Sequence, residues 1–135
     1  MILGHGIDLA EISRIDGVYK RHGKRFIDRI LSEIEKNKFL SLTKQKNITY
    51  LATRFAAKEA FAKALGTGIG KISFKDIIIS NDENGKPEII LSQSTLELVQ
   101  SILQCYSLRF HISLSNSNEN AVASVIIEQK KISKG

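Results

Sequence analysis

Cysteine, proline, methionine and tryptophan are nearly missing from this 135-residue sequence, which holds one Cys, one Pro, one Met and no Trp. The lone Cys105 excludes an intrachain disulfide framework. With no partner motif around it, it reads as a small buried side chain in a reducing compartment. A single proline and the lack of any biased tract exclude fibrous, low-complexity and disordered chains. Long apolar runs are missing too. The opening stretch from Met1 to Ile7 is broken by Gly4, His5 and Gly6 and ends at Asp8, too short for a signal or membrane helix. The expectation is a cytoplasmic globular protein with no membrane partner. At 42% hydrophobic residues the chain suits one domain over residues 1–135 with a modest core.

Acidic residues are scarce in one half. Residues 14–71 hold fourteen Lys/Arg against five Asp/Glu, a net of +9, whereas the remainder carries −3. Such a block favours an anionic partner: nucleic acid, a phosphate-bearing small molecule or an acidic protein. An ordinary solvated basic surface explains the charge equally well.

Along the chain, residues 1–9 read as a strand whose two glycines allow close backbone contact, with Asp8 at its end. From Glu11, apolar Ile12, Ile15, Val18 and Tyr19 recur at helical spacing until His22 and Gly23. Short helices are expected over 25–31 and 32–42, the second with Ser32 as cap and Glu35 in the capping-box position. An Ala-, Leu-, Lys- and Glu-rich helix should run from about Lys46 to Leu65 and stop at Gly66. Strands are expected over 72–80 and 88–91, joined by a loop ending in Asn84-Gly85, then a helix over 95–104 and strands over 108–114 and 121–128. The expected fold class is α+β: an antiparallel sheet packed against a long central helix and shorter helices.

Two glycine patterns invite nucleotide-loop readings and fail them. Gly66-Thr-Gly-Ile-Gly-Lys71 has Leu65 where a Walker loop needs glycine, Ile72 where it needs Ser/Thr, and follows a helix instead of a strand. Gly4-His-Gly6 has Leu9 in place of the third glycine of a dinucleotide fingerprint. The long helix is more informative. Arg54 and Lys58 are four apart, as are Glu59 and Lys63, with alanines between. Ion pairing on a solvated helix accounts for each pair, with Phe55 and Phe61 in the core. Three cations around one carboxylate also suit a site where Glu59 holds a divalent metal and the lysines neutralise phosphates. A hard cation such as Mg²⁺ takes one or two protein carboxylates, so Glu59 wants a partner. Asp8 is the candidate, although it serves equally as the N-cap of a helix beginning near Leu9.

Gly6-Ile-Asp8 with Arg14-Ile15 resembles the first motif of holo-acyl-carrier-protein synthases, and Arg54-Phe-Ala-Ala-Lys58-Glu59-Ala-Phe-Ala-Lys63-Ala-Leu-Gly66-Thr-Gly68-Ile is similar to that family's longest signature. Asn84-Gly85-Lys86-Pro87 is a third match, and the similarity runs from Met1 to about Glu128. The resemblance implies a 4'-phosphopantetheinyl transferase-like fold and a magnesium-dependent transfer of phosphopantetheine from coenzyme A to a serine of an acidic acyl carrier protein. It implies Mg²⁺ on Asp8 and Glu59, which with Lys63 form the catalytic set. Coenzyme A would be held by Arg54, Lys58, Lys63, Gly66, Thr67, Gly68 and Asn116, the last standing where relatives often have His or Asp. Arg14 would dock the carrier, and Arg21, two turns on along the same helix face, with Arg25 and Phe26 just past the Gly23 break, is read with it as one docking surface. A homotrimer with active sites between subunits is also implied. Two rival readings stand beside it: a nucleic-acid-binding module, disfavoured by the absence of Trp and of aromatic–basic alternation, and a trimeric interaction protein without activity. The expectation is no nucleic-acid partner.

Overall fold

In the computed structural model, which describes residues 1–66, 70 and 72–131, strand β1 (Ile2–Glu11) leads into helices α1 (Ile12–His22), α2 (Lys24–Ile30), α3 (Glu33–Ser41) and α4 (Lys44–Leu65). A 3₁₀ turn (Phe74–Asp76), β2 (Ile77–Asn81), β3 (Pro87–Leu91), α5 (Gln93–Leu103), β4 (Leu108–Asn116) and β5 (Asn120–Gln129) complete it. The strands form two antiparallel sheets, β1-β5-β4 and the β2-β3 hairpin. The α+β architecture is present, with a helix or strand wherever periodicity called for one.

The ends follow the local chemistry. Ser32 caps α3 by accepting from the Glu35 N–H, while the Glu35 carboxylate accepts from the Ser32 N–H at 2.9 Å, so the expected capping box closes. Gly66 stops α4 in the left-handed region, φ 77°, with its N–H bonded back to the Ala62 and Lys63 carbonyls. Two boundaries move. Strand β2 begins at Ile77 instead of residue 72, because Phe74–Asp76 curl into a 3₁₀ turn that buries Phe74. Strand β1 continues past Asp8 to Glu11, because β5 keeps pairing with it as far as Asn120. Asp8 therefore sits within a strand, opposite Ala123, and Glu11 holds the N-cap position of α1.

Helix α4 lies against the inner face of the three-stranded sheet. Ala121, Ala123, Val125 and Ile127 of β5 alternate inward and are fully buried, as are Ala56, Ala57, Ala60 and Phe61 of α4. Small residues on both sides bring helix and strand backbones unusually close. A Cβ at Gly6 would stand 1.9 Å from the Ala60 carbonyl oxygen, and one at Gly4 1.9 Å from that of Ala64. The two glycines of the opening strand are needed for this approach. It fixes where Asp8 lies along α4.

Candidate active site

One turn separates Glu59 from Lys63 on α4, and the approach of β1 sets Asp8 beside them. The Lys63 Nζ donates to Asp8 Oδ1 at 2.8 Å and to the Ile7 carbonyl at 3.0 Å. Asp8 is mostly shielded, with 15% of its side chain exposed, while Lys63 is 54% exposed. Partial burial, and then the charge of Asp8, push the Glu59 carboxyl above its ordinary range, with Lys63 pulling it back. The hydrogen bond to Asp8 raises the Lys63 ammonium. Two carboxylates thus repel each other, only Asp8 being directly paired with Lys63, and together they favour a further positive charge.

Among the described residues no third His, Cys, Asp or Glu joins the pair. The donor set still fits Mg²⁺, which takes one or two carboxylates and keeps its remaining positions for water and phosphate oxygens. Asp8 and Glu59 are the residues that would hold it.

Beside Glu59 a groove of about 590 Å³ opens, walled by Phe26, Arg29 and Ile30 of α2, by Phe55 of α4 and by Phe74 of the 3₁₀ turn. Phe55 stacks edge-on against Phe74, with ring centroids 5.8 Å apart, and leans on Phe26 at 6.2 Å. Phe55 thus lines the groove and is not enclosed in the core. Arg14, Arg21 and Arg25 are exposed on α1 and α2 and make no salt bridge among the described residues.

Lys58 departs from expectation. Its side chain is fully buried, and its Nζ donates to Glu35 Oε1 at 2.5 Å and to the Ile30 carbonyl at 2.6 Å. Burial pulls the ammonium below its usual range, and Glu35 opposes that shift. An enclosed amine with these partners is not available to a phosphate, so Lys58 leaves the coenzyme-binding set. Glu35 was expected only as a capping residue. Its second role was invisible because its partner lies 23 residues away on another helix.

Arg54 is also engaged. Its guanidinium lies 4.2 Å from the Tyr50 ring centre, and it donates to Thr53 Oγ1 at 3.1 Å and Asn81 Oδ1 at 3.2 Å. Asn81 in turn donates to the Gly85 carbonyl, so Arg54 is tied to the Asn84-Gly85 turn, away from Asp8. Asn116 ends β4 and lines a separate cavity of about 1030 Å³ with Ser13, Lys20, Lys44 and Asn47. Within one chain it does not meet Glu59. Gly66 is described as the cap of α4, whereas Thr67 and Gly68 lie outside the described residues.

Comparisons with known proteins agree along nearly the whole length. The family model described as the 4'-phosphopantetheinyl transferase superfamily matches residues 4–125. A holo-[acyl-carrier-protein] synthase of Geobacillus sp. strain WCH70 is 49% identical, covering 96% of this chain and 98% of that protein. Among solved structures, a holo-(acyl-carrier-protein) synthase from Bacillus anthracis in complex with CoA (3',5'-ADP) superposes with a TM-score of 0.80 at 41% identity, covering 96% of this chain and 99% of the other. The holo-[acyl-carrier-protein] synthase from Neisseria meningitidis gives 0.85 at 38% identity, covering 96% and 100%. With the Asp8–Lys63–Glu59 cluster assembled from the two separated motifs of the sequence, the chain belongs to the 4'-phosphopantetheinyl transferase superfamily, among its holo-[acyl-carrier-protein] synthases.

Proposed function

We propose that this chain, acting as one domain, transfers the 4'-phosphopantetheine group of coenzyme A to a serine of an apo acyl carrier protein, releasing adenosine 3',5'-bisphosphate. The observation that carries the reading is the Asp8–Lys63 ion pair with Glu59 within the field of both, on a chain similar over 96% of its length to a synthase seen with CoA (3',5'-ADP). The serine hydroxyl attacks the β-phosphorus of coenzyme A. One P–O bond forms to the serine, and the bond from that phosphorus to the pyrophosphate bridging oxygen breaks. The bridging oxygen leaves with the adenosine 3',5'-bisphosphate.

Charge is the main obstacle. Mg²⁺ held by Asp8 and Glu59 would supply Lewis-acid neutralisation of the pyrophosphate oxygens. Lys63, half exposed and raised in pKa, stays protonated and offsets the charge that develops on the leaving group. The Glu59 carboxylate, its pKa lifted by burial and by Asp8, is poised to take the serine proton directly or through a water. Arg54, Gly66, Thr67 and Gly68 are proposed to serve the coenzyme. Asn116 would reach it only from a neighbouring subunit.

Association into a homotrimer is proposed through the outer face of the β1-β5-β4 sheet, where the apolar Ile7 and Leu9 are 57% and 59% exposed. A cytoplasmic setting is supported by the free thiol of buried Cys105, and no described helix is long and apolar enough to cross a membrane. Exposed Arg14, Arg21 and Arg25, with Phe26 at the groove beside Glu59, support docking of an acidic carrier; nucleic acid is not the proposed partner.

The test is incubation with coenzyme A, Mg²⁺ and several apo carriers, followed by intact-mass analysis. One carrier should gain the mass of phosphopantetheine at its serine. No gain on any carrier overturns the reading.

A further inference from the structure

A buried ion pair is a weak source of stability, since desolvation offsets most of the attraction, so its geometry is the more informative property. Glu35 and Lys58 are both enclosed, at 1% and 0% exposure. Their polar atoms reach four separate segments. Lys58 Nζ, on α4, donates to the Ile30 carbonyl at the end of α2. Glu35 Oε1, on α3, accepts from Lys58 and from the Ser32 N–H in the α2–α3 connection, and Glu35 Oε2 accepts from the Ile79 N–H of β2 at 3.1 Å. One charge pair thus ties the end of α2 and the start of α3 to α4 and to β2.

The position of this knot matters because Lys58 adjoins Glu59 in sequence, and Ile30, whose carbonyl it holds, lines the same groove as Glu59, Phe26 and Arg29. We propose that Glu35 and Lys58 are positioning residues: they hold α2, with its Phe26, Arg29 and Arg25, at the register from α4 that brings a docked carrier serine to Glu59. The pair touches neither substrate. It acts through the groove wall, and this inference rests on the carrier-transfer reading given above. Coenzyme A would sense it little, since Lys63 and Asp8 reach each other without help from α2. Removing the pair should therefore divide the two substrates.

The experiment compares steady-state transfer by the unaltered chain with that by Lys58→Met, which keeps the length and removes the ammonium, and Glu35→Gln, which keeps one acceptor oxygen but replaces the other by an amide nitrogen. Assays run well below each protein's melting temperature. For Lys58→Met the carrier KM should rise on the order of tenfold, while the coenzyme A KM stays within about twofold and kcat per folded molecule within about threefold. For Glu35→Gln the same division should appear at roughly threefold in carrier KM. A role in stability alone lowers the folded fraction, and with it kcat, leaving both KM values in place. That pattern, or an equal rise in both KM values, overturns the proposal. If Lys58→Met does not fold, Glu35→Gln decides it, and an unchanged carrier KM counts against the proposal. A parent chain that modifies no carrier overturns the function and this inference together, whereas an active parent with variants of unchanged carrier KM overturns this inference alone.

Discussion

Gly6→Ala should separate the site from the fold by a single methyl group. A Cβ at Gly6 would lie 1.9 Å from the Ala60 carbonyl oxygen, 2.7 Å from the Ala64 nitrogen and 3.0 Å from the Ala60 carbonyl carbon. Ordinary contact begins at 3.4 Å, so β1 and α4 must part by up to about 1.5 Å. The obstacles are backbone atoms of a fully buried helical turn, which cannot rotate aside. Forced overpacking of this kind costs about 1–3 kcal/mol, and sometimes more. Asp8 lies two residues along the same strand, and its 2.8 Å contact with Lys63 spans the same strand–helix gap. A displacement on the order of 1 Å at reacting groups lowers turnover by roughly 10²-fold. Thermal melting and transfer kinetics, read together, test both parts. Gly17→Ala supplies the control: Gly17 is inside α1, and a Cβ there meets only the Arg21 side chain at 4.0 Å. That variant should gain about 0.5–1 kcal/mol from helix propensity and retain full activity. A Gly6→Ala protein that melts and turns over like its parent would refute the claim that strand–helix approach builds the site.

Asp8→Asn and Glu59→Gln should each lower transfer on the order of 10²- to 10³-fold with an unchanged circular dichroism spectrum, since each removes a charged oxygen from the site; near-normal rates at limiting Mg²⁺ would contradict the assignment. Glu59→Gln should also report on stability, because the raised carboxyl pKa means that the folded chain binds this proton more tightly than the unfolded chain. That contribution is present below the ordinary carboxylate range and lost as pH rises through the folded value, so without divalent cations the variant should melt above its parent at neutral pH, and the gap should close on acidification. Lys63→Ala should impair transfer from coenzyme A far more than it impairs binding of an analogue lacking the pyrophosphate, and equal losses would mark a structural lysine. Arg14→Glu should raise the carrier KM and flatten its salt dependence while leaving coenzyme A binding nearly unchanged; loss of coenzyme A affinity instead would move Arg14 to the phosphate site.

Elements written in local chemistry are legible in the amino-acid sequence by itself. The Ser32–Glu35 box, the Gly66 stop and the inward alternation of β5 each depend on residues within a few positions of one another. The neighbourhood of Asp8 and Glu59 is not legible in the residues alone, which leave Asp8 equally a helix N-cap, and only the family resemblance points to it; the close approach of a strand with two glycines to an alanine-rich helix is what brings it about. The groove is not legible. Phe26, Phe55 and Phe74 are spread over nearly fifty residues, and nothing in their spacing says that three rings will gather beside one carboxylate. The strand expected to start at residue 72 likewise failed because Phe74 had a better place in the interior than on a ladder.

Lys58 and Lys63 differ more than their common signature suggests, since both lie on one helix and both were expected to serve phosphate. Helix geometry separates them. Five residues turn an α-helix by about 500°, so the two side chains leave it roughly 140° apart, whereas Glu59 and Lys63, like Arg54 and Lys58, are only about 40° apart. The Glu59–Lys63 face meets β1, where Asp8 waits near solvent. The Arg54–Lys58 face turns towards α3 and β2, where Glu35 and Asn81 supply the partners and water is excluded from Lys58. A buried ammonium without a carboxylate would carry an uncompensated charge, so Glu35 and Lys58 depend on each other, and exchanging either alone should be harsher than exchanging an exposed lysine such as Lys63. The same pattern of cations on an alanine-rich helix thus makes two kinds of contact: one face sets Lys63 against Asp8 near solvent, and the other ties α4 to α3, β2 and the end of α2 through the buried Glu35–Lys58 pair.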